Sequence, residues 1–184
     1  VPRSVENDMA KTAVSFGFNT TLSFTIDMLD RVRQAAQSSG KIAVVEVLGS
    51  QSGWLALQSG IATMADAVVI PEQPCDIQKL AEHLKNVMSA RSNGLVVIAE
   101  GATFTGTKST TLKPATSLKN SLSPLATGDD DAYVINRSGK VSEILSVGLQ
   151  QLLPYEVYPL VLNQWARGGA ATAVDRQLGL GYGA

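Results

Sequence analysis

The chain is 184 residues long, 45% hydrophobic and 17% charged, with 15 Lys and Arg against 16 Asp and Glu for a formal net charge of −1. That length and apolar share suit one or two folded domains with a substantial core and exclude intrinsic disorder. The balanced charge gives no global electrostatic case for a nucleic-acid or anionic-membrane partner, and no run approaches the roughly 20 apolar residues of a membrane span.

Val1-Pro2-Arg3-Ser4 opens without Met and without an apolar run behind it, so it is no signal peptide, and the chain is expected to be a piece of a longer protein. Residues 19–37 carry Leu22, Ile26, Leu29 and Val32 at spacings of three and four. They predict an amphipathic helix capped by Asn19, Thr20 or Thr21 and stopped by Ser38-Ser39-Gly40. Residues 41–49 form a nearly continuous β-branched apolar run, the mark of a strand covered on both faces in a parallel sheet. A helix over 53–63, a buried strand over 67–71, an amphipathic helix over 76–90 capped by Asp76, and a strand over 94–101 follow. This alternation predicts an α/β fold, a Rossmann-like parallel sheet with helices on both faces.

The rhythm breaks at 103–127, which is rich in Ser, Thr and Lys and reads as a long loop or mobile insertion. Asp129-Asp130-Asp131 reads as a solvated turn, because three consecutive acids on a loop do not all face one ion. Ordered structure is expected again from Tyr133-Val134-Ile135-Asn136, then as a helix over 140–151, a strand over 157–162 and a final helix over 171–180. His83, the only histidine, falls on the polar side of its helix, and Trp54 and Trp165 read as packing residues. Glu46 interrupts an apolar strand and must be paired if buried, a core salt bridge being the simplest solution. Cys75, the single cysteine, has no partner for an internal disulfide, which fits a cytoplasmic location.

In an open α/β sheet, ligands bind beyond the carboxyl ends of the strands. Those ends present Leu48-Gly49-Ser50, Pro71-Glu72, Glu100-Gly101 and Asn163-Gln164-Trp165-Ala166-Arg167-Gly168-Gly169. An Arg followed by two glycines puts a cationic fork beside backbone that can approach a phosphate closely. By itself the triplet equally describes a plain turn.

Six segments in one order carry a more specific signal. Residues 2–8 (PRSVEND) are similar to the P-K/G-T-I-D-N-D signature of the phosphofructokinase family, and Gly17-Phe18-Asn19-Thr20 to its G-F-D-T. Residues 44–57 resemble its V-V-E-V-M-G-R-x-x-G-x-x-A-L. Ile70-Pro71-Glu72, Ala99-Glu100-Gly101, and Arg167-Gly168-Gly169 with Asp175-Arg176 resemble I-P-E, A-E-G and Q-R-G-G-x-P-x-x-x-D-R. The match covers most of the chain outside the insertion at 103–138.

The resemblance implies a glycolytic kinase, a phosphotransferase that converts fructose 6-phosphate to fructose 1,6-bisphosphate with Mg²⁺. Glu6 would take the proton from the sugar hydroxyl, and Asp8 would lie near the metal and the transferring phosphate. Ser4 would touch that phosphate, Leu48 and Gly49 would form the sugar loop, Glu100 would bind sugar hydroxyls, and Arg167, with Gln164 beside it, would hold the 6-phosphate. Lys41 stands at a phosphate-binding Arg position. Arg33 and Asp66 match positions lining an effector pocket between subunits; a surface ion and a strand-edge acid is the equal alternative. Residues 1–18 would be a remnant of the phosphoryl-donor domain and 19–184 the sugar-phosphate domain. The family's Gly-rich donor segment falls upstream of Pro2, so ATP or pyrophosphate would be bound there. Arg3 resembles the Lys of pyrophosphate users. A homo-oligomer, commonly a tetramer, is implied, because family sites borrow arginines from a neighbouring subunit.

Four departures stand out. Glu6 is one methylene longer than the family's Asp, Ser50 replaces an Arg that steadies the transferring phosphate, Gln164 replaces a His, and Tyr158 replaces an Arg at the 6-phosphate. They leave a second reading beside the enzyme: a non-catalytic or regulatory paralogue that senses a phosphorylated metabolite in the same pocket.

Overall fold

The structure, a computed structural model, describes residues 2–105 and 140–183. The tetrad at 133–136, the acidic run at 129–131 and most of the insertion expected at 103–138 lie outside the described residues. In chain order the elements are α1 (Phe18–Ser39), β1 (Ile42–Val47), α2 (Trp54–Ala62), β2 (Ala67–Val69), β3 (Cys75–Asp76), α3 (Ile77–Arg91), β4 (Gly94–Ala99), β5 (Phe104–Thr105), α4 (Lys140–Leu152), β6 (Val157–Val161), a 3₁₀ turn (Trp165–Gly168) and α5 (Ala173–Gly183).

Four strands form one parallel sheet in the order β2-β4-β1-β6. Every residue of β1 and β4 is buried, which explains why both read as unbroken apolar runs rather than alternating ones. Successive side chains alternate between faces. Ile42, Val44, Val96 and Ile98 pack under α3 and α4 against Leu80, Leu84, Leu145 and Leu149. Ala43, Val45, Val47, Leu95 and Val97 pack under α1 and α2 against Leu29, Leu55 and Ala56. Among the described residues, no helix is long and apolar enough to cross a membrane.

Most expected elements stand where the periodicity placed them; the differences have local causes. The strand at 67–71 is not covered on both faces: β2 is an edge strand of three residues, with Ala67 and Val68 only half-buried. The final helix starts at Ala173, two residues late, because Thr172 closes its first turn, its carbonyl accepting from Arg176 N at 3.0 Å. Phe104 and Thr105, expected in loop, pair with Cys75 and Asp76. Neither tryptophan packs in the core. Trp54 is 48% and Trp165 74% exposed, since each opens a helical turn at the sheet's carboxyl end and points outward. Cys75 is half-buried, and burial, with the adjacent Asp76 charge, pushes its thiol up.

Helix capping shows the same split between local and distant causes. Asp76 caps α3 as expected, accepting from Gln78 N at 2.9 Å and Lys79 N at 3.3 Å. Helix α1 is not capped by Asn19, Thr20 or Thr21. It follows Gly17 at φ +92°, and the buried Asp175 of α5 accepts from Gly17 N and Thr20 N, each at 2.8 Å, and from the Thr20 hydroxyl. A carboxylate at a helix N-terminus satisfies orphan N–H groups and complements the helix dipole. It also fixes α5 across the start of α1.

Candidate active site

The carboxyl ends of β1, β4 and β6 converge with the N-terminal segment. Two loops meet there at a separation only glycine permits. A Cβ on Gly101 would lie 1.9 Å from the Ser50 carbonyl oxygen, and one on Gly49, at φ +142°, would lie 2.5 Å from the Ser52 carbonyl oxygen. Gly101 N donates to Gly49 O at 3.0 Å, closing the contact. The loop after β1 is thereby pinned against the end of β4.

Residues 2–16 fold back over this floor. Phe16 N donates to Pro2 O at 2.7 Å, and Asn7, at φ +55°, accepts from Ser15 N at 2.7 Å through Oδ1. Asn is one of the few side-chain-bearing residues that enters the left-handed region readily, so the Asn of the motif has a structural task beside the acids. The turn delivers Glu6 to the loop after β1. Glu6 Oε2 accepts from Ser50 N at 3.0 Å and Ser50 Oγ at 3.2 Å, Ser52 Oγ donates to Glu6 O at 3.0 Å, and Arg167 Nη2 approaches Glu6 Oε1 to 4.0 Å. Asp8 is exposed and accepts from the Ser4 hydroxyl, which in turn accepts from Glu6 N at 3.3 Å.

Glu100 ends β4 beside them. Burial pushes its carboxyl above the usual carboxylate range; the Glu6 and Glu46 charges add to this, while a Gly49 backbone N–H and the Arg167 guanidinium oppose it. Asn163, directly after β6, donates through Nδ2 to Glu100 Oε2 at 2.8 Å and to Glu46 Oε1 at 3.1 Å. Glu46 is fully buried and also accepts from Ser142 N at 2.9 Å. Hydrogen bonds from the first turn of α4 and from Asn163 thus reach this buried carboxylate.

The cluster of Ser4, Glu6, Asp8, Gly49, Glu100 and Arg167 is therefore brought to one end of the sheet. Gln164 is exposed at the start of the 3₁₀ turn beside Arg167. Leu48 lies at the same end, but its side chain is 2% exposed and belongs to the core, leaving only its backbone to face a ligand. Lys41 is not brought in. It precedes β1 at the sheet's opposite end, about 20 Å away at about 3.3 Å per strand residue, with its Nζ 2.6 Å from Glu156 Oε1 and next to Tyr158. Burial and the Glu156 charge push the Tyr158 phenol up against the opposing effect of Lys41.

Arg33 and Asp66 have partners within the chain. Arg33 donates to the carbonyls of Thr63 and Met64, while Asp66 pairs with Arg91 and accepts from Leu95 N at 2.8 Å. His83 lies against the Asp66 carbonyl at 2.9 Å, a helix-to-loop contact. Among the described residues, no group of three His, Cys, Asp or Glu side chains is placed to hold a metal ion. Sequence reasoning missed Asn163, Asp175 and the partnership of Ser50 with Glu6. The signals were the strand-end positions of Ser50 and Asn163 and the place of Asp175 in the family motif, none of which gave a partner.

The family model described as Phosphofructokinase matches residues 1–184, the whole chain. The chain belongs to the phosphofructokinase family. It is 37% identical over 184 residues to ATP-dependent 6-phosphofructokinase 3 of Streptomyces coelicolor, covering 100% of this chain and 50% of that protein. It is 31% identical over 183 residues to the pyrophosphate–fructose 6-phosphate 1-phosphotransferase of Amycolatopsis methanolica, with the same 100% and 50% coverage. Among solved structures, phosphofructokinase from Saccharomyces cerevisiae superposes with a TM-score of 0.71 at 29% identity over 95% of this chain and 20% of that one. The chain thus spans about half the length of the curated relatives it matches. Both donor types occur among these phosphofructokinase relatives.

Proposed function

We propose that this chain forms the sugar-phosphate half of a cytoplasmic phosphofructokinase-like phosphotransferase, residues 1–18 belonging to the donor-side domain and 19–184 to the sugar domain. The observation that carries this reading is the convergence of Glu6, Glu100 and Arg167 at the carboxyl end of the sheet in a chain of this family. Glu6 takes the proton of the fructose 6-phosphate 1-hydroxyl as that oxygen attacks the donor phosphorus. Ser50 N–H and Oγ–H hold Oε2 of Glu6 and leave Oε1 to the substrate side. Arg167, half-exposed, turns from its 4.0 Å approach to Glu6 to the 6-phosphate dianion, a stronger partner. Glu100 accepts hydrogen bonds from sugar hydroxyls.

The donor set suits Mg²⁺, which is held by one or two carboxylates with substrate phosphates rather than by an all-protein cage. Asp8, exposed and hydrogen-bonded by the Ser4 hydroxyl, would be its hard-oxygen ligand. When bound, Mg²⁺ neutralises charge on the transferring phosphate. The donor, ATP or pyrophosphate, is held by residues preceding this chain. Lys41 and Tyr158 then serve a neighbouring subunit's sugar phosphate in a homo-oligomer, commonly a tetramer. Arg33 and Asp66 line an effector contact only by exchanging their present partners.

A coupled assay of the full-length protein with fructose 6-phosphate, run with ATP and then with pyrophosphate, tests the reading. Turnover with one donor is expected. Binding of the sugar phosphate without turnover with either donor assigns the chain to a sensing paralogue instead, and no binding overturns the site.

A further inference from the structure

Asn163 donates to both carboxylates at the heart of the cluster. Its amide is 1% exposed, and Nδ2 sits 2.8 Å from Glu100 Oε2 and 3.1 Å from Glu46 Oε1. A primary amide nitrogen has two hydrogens, one for each acid. The three residues come from three separate places: Glu46 near the carboxyl end of β1, Glu100 directly after β4 and Asn163 in the turn after β6. Glu46 is held from the other side by Ser142 N at 2.9 Å, so it is a fixed anchor rather than a mobile side chain. We propose that Asn163 is a positioning residue for the proposed phosphoryl transfer to the sugar: it ties Glu100 to the anchored Glu46 and fixes which Glu100 oxygen faces the sugar hydroxyls. The choice of sugar as ligand rests on the reading above; the tie itself does not.

The physical consequence is specific. The Asn163 donor engages Oε2 of Glu100 and keeps the carboxylate from turning, so Oε1 remains as an acceptor in a fixed direction. It also favours the charged form of Glu100 in surroundings that disfavour it. The charges facing Glu100 are Glu6 from the N-terminal segment, Glu46 from β1 and Arg167 from the 3₁₀ turn. Among the described residues two of these three are negative, so removal of a donor leaves their repulsion opposed only by Arg167 and the Gly49 N–H. A group that only filled space would leave the titration of Glu100 where it is.

The test uses the full-length protein and two readouts, one of which needs no substrate. The first follows the Glu100 side-chain carboxyl by ¹³C NMR across pH, its signal assigned by loss in Glu100→Gln. In Asn163→Ala the titration midpoint is expected to rise by about one pH unit, a tenfold gain in proton affinity. The second is steady-state kinetics: KM for fructose 6-phosphate rises about tenfold while kcat changes less than about twofold, because a mispositioned hydroxyl acceptor weakens ground-state and transition-state binding alike. Asn163→Ser, a smaller single donor, gives an intermediate midpoint and carries the same test should Asn163→Ala fail to fold. An unmoved midpoint in the folded variant overturns the proposal. A shifted midpoint in a protein whose wild type does not bind fructose 6-phosphate upholds the tie to Glu100 and overturns the sugar reading.

Discussion

The two ends of the central sheet are built on different principles. At the carboxyl end, acids from the N-terminal segment, β1 and β4 are packed around one arginine and one amide. Most charges there have a partner far away in sequence, Glu6 with Ser50, Glu46 with Asn163, Asp175 with Gly17 and Thr20, while Asp8 meets the nearby Ser4. At the amino end, Lys41 meets Glu156 beside Tyr158, with Lys41 35% and Glu156 61% exposed at their side chains. At the first end burial and two neighbouring acids push the Glu100 carboxyl up; at the second burial pushes up the Tyr158 phenol, with Lys41 opposing and Glu156 adding, beside a partly exposed ion pair. The contrast teaches that a concentration of like charge is retained where it is held rigidly from several elements, whereas a single ion pair at the exposed end has opposed charges whose effects on their neighbour partly cancel.

Substitutions at each end sharpen this contrast. The largest effect belongs to Glu6. Glu6→Gln keeps the acceptor toward Ser50 but removes the base, and turnover in the coupled assay is expected to fall by about 10²–10⁴-fold; unchanged turnover would remove Glu6 from its role. Next comes the buried tie behind the site. Asp175→Ala leaves Gly17 N and Thr20 N without their acceptor and is expected to cost about 2 kcal/mol in urea unfolding. A cost near zero would mean that water caps α1 equally well.

Glu100 gives a smaller effect with a definite sign. Its folded-state carboxyl is raised, so between the ordinary carboxylate value and that raised value the folded protein holds a proton that the unfolded chain has released. Stability therefore falls as pH rises through that window. Glu100→Gln, which is never charged, is expected to melt above wild type at pH 8, with the gap closing below the ordinary carboxylate range. Binding of fructose 6-phosphate moves the other way, weakening in the variant at every pH. A variant that melts lower at pH 8 would contradict the strained-acid account. The smallest effect is at the amino end, where Glu156→Gln should change stability by less than about 1 kcal/mol, and less still in high salt. A larger loss would show that this end also holds buried, coupled charge.

Much of the scaffold was legible in one dimension. The strands β1 and β4 announced themselves because full burial on both faces demands unbroken apolar runs, and the Asp76 cap did so because a side chain reaches N–H groups only two and three residues ahead. The motif acids Glu6 and Asp8, with Glu100 and Arg167, were found through resemblance to a family pattern. The structure then showed that Glu6, Glu100 and Arg167 share one end of the sheet. Lys41 marks the limit of that approach: its position matched a phosphate-binding site, yet within this chain it faces the opposite end. Trp54 and Trp165 mark another, because large apolar side chains at the ends of helical turns are not obliged to turn inward.

Residue order by itself determined the α/β alternation, the buried central strands and the chemistry available at their ends, because periodicity and local capping act over a few residues. Only the tertiary structure decided that Ser50 would hold Glu6, that Asp175 would cap a helix beginning 157 positions earlier, and that Asn163 would join Glu46 to Glu100. Those contacts link residues 44 to 158 positions apart. Such pairings depend on strand order and loop closure, and a single chain read along its length carries no term for them.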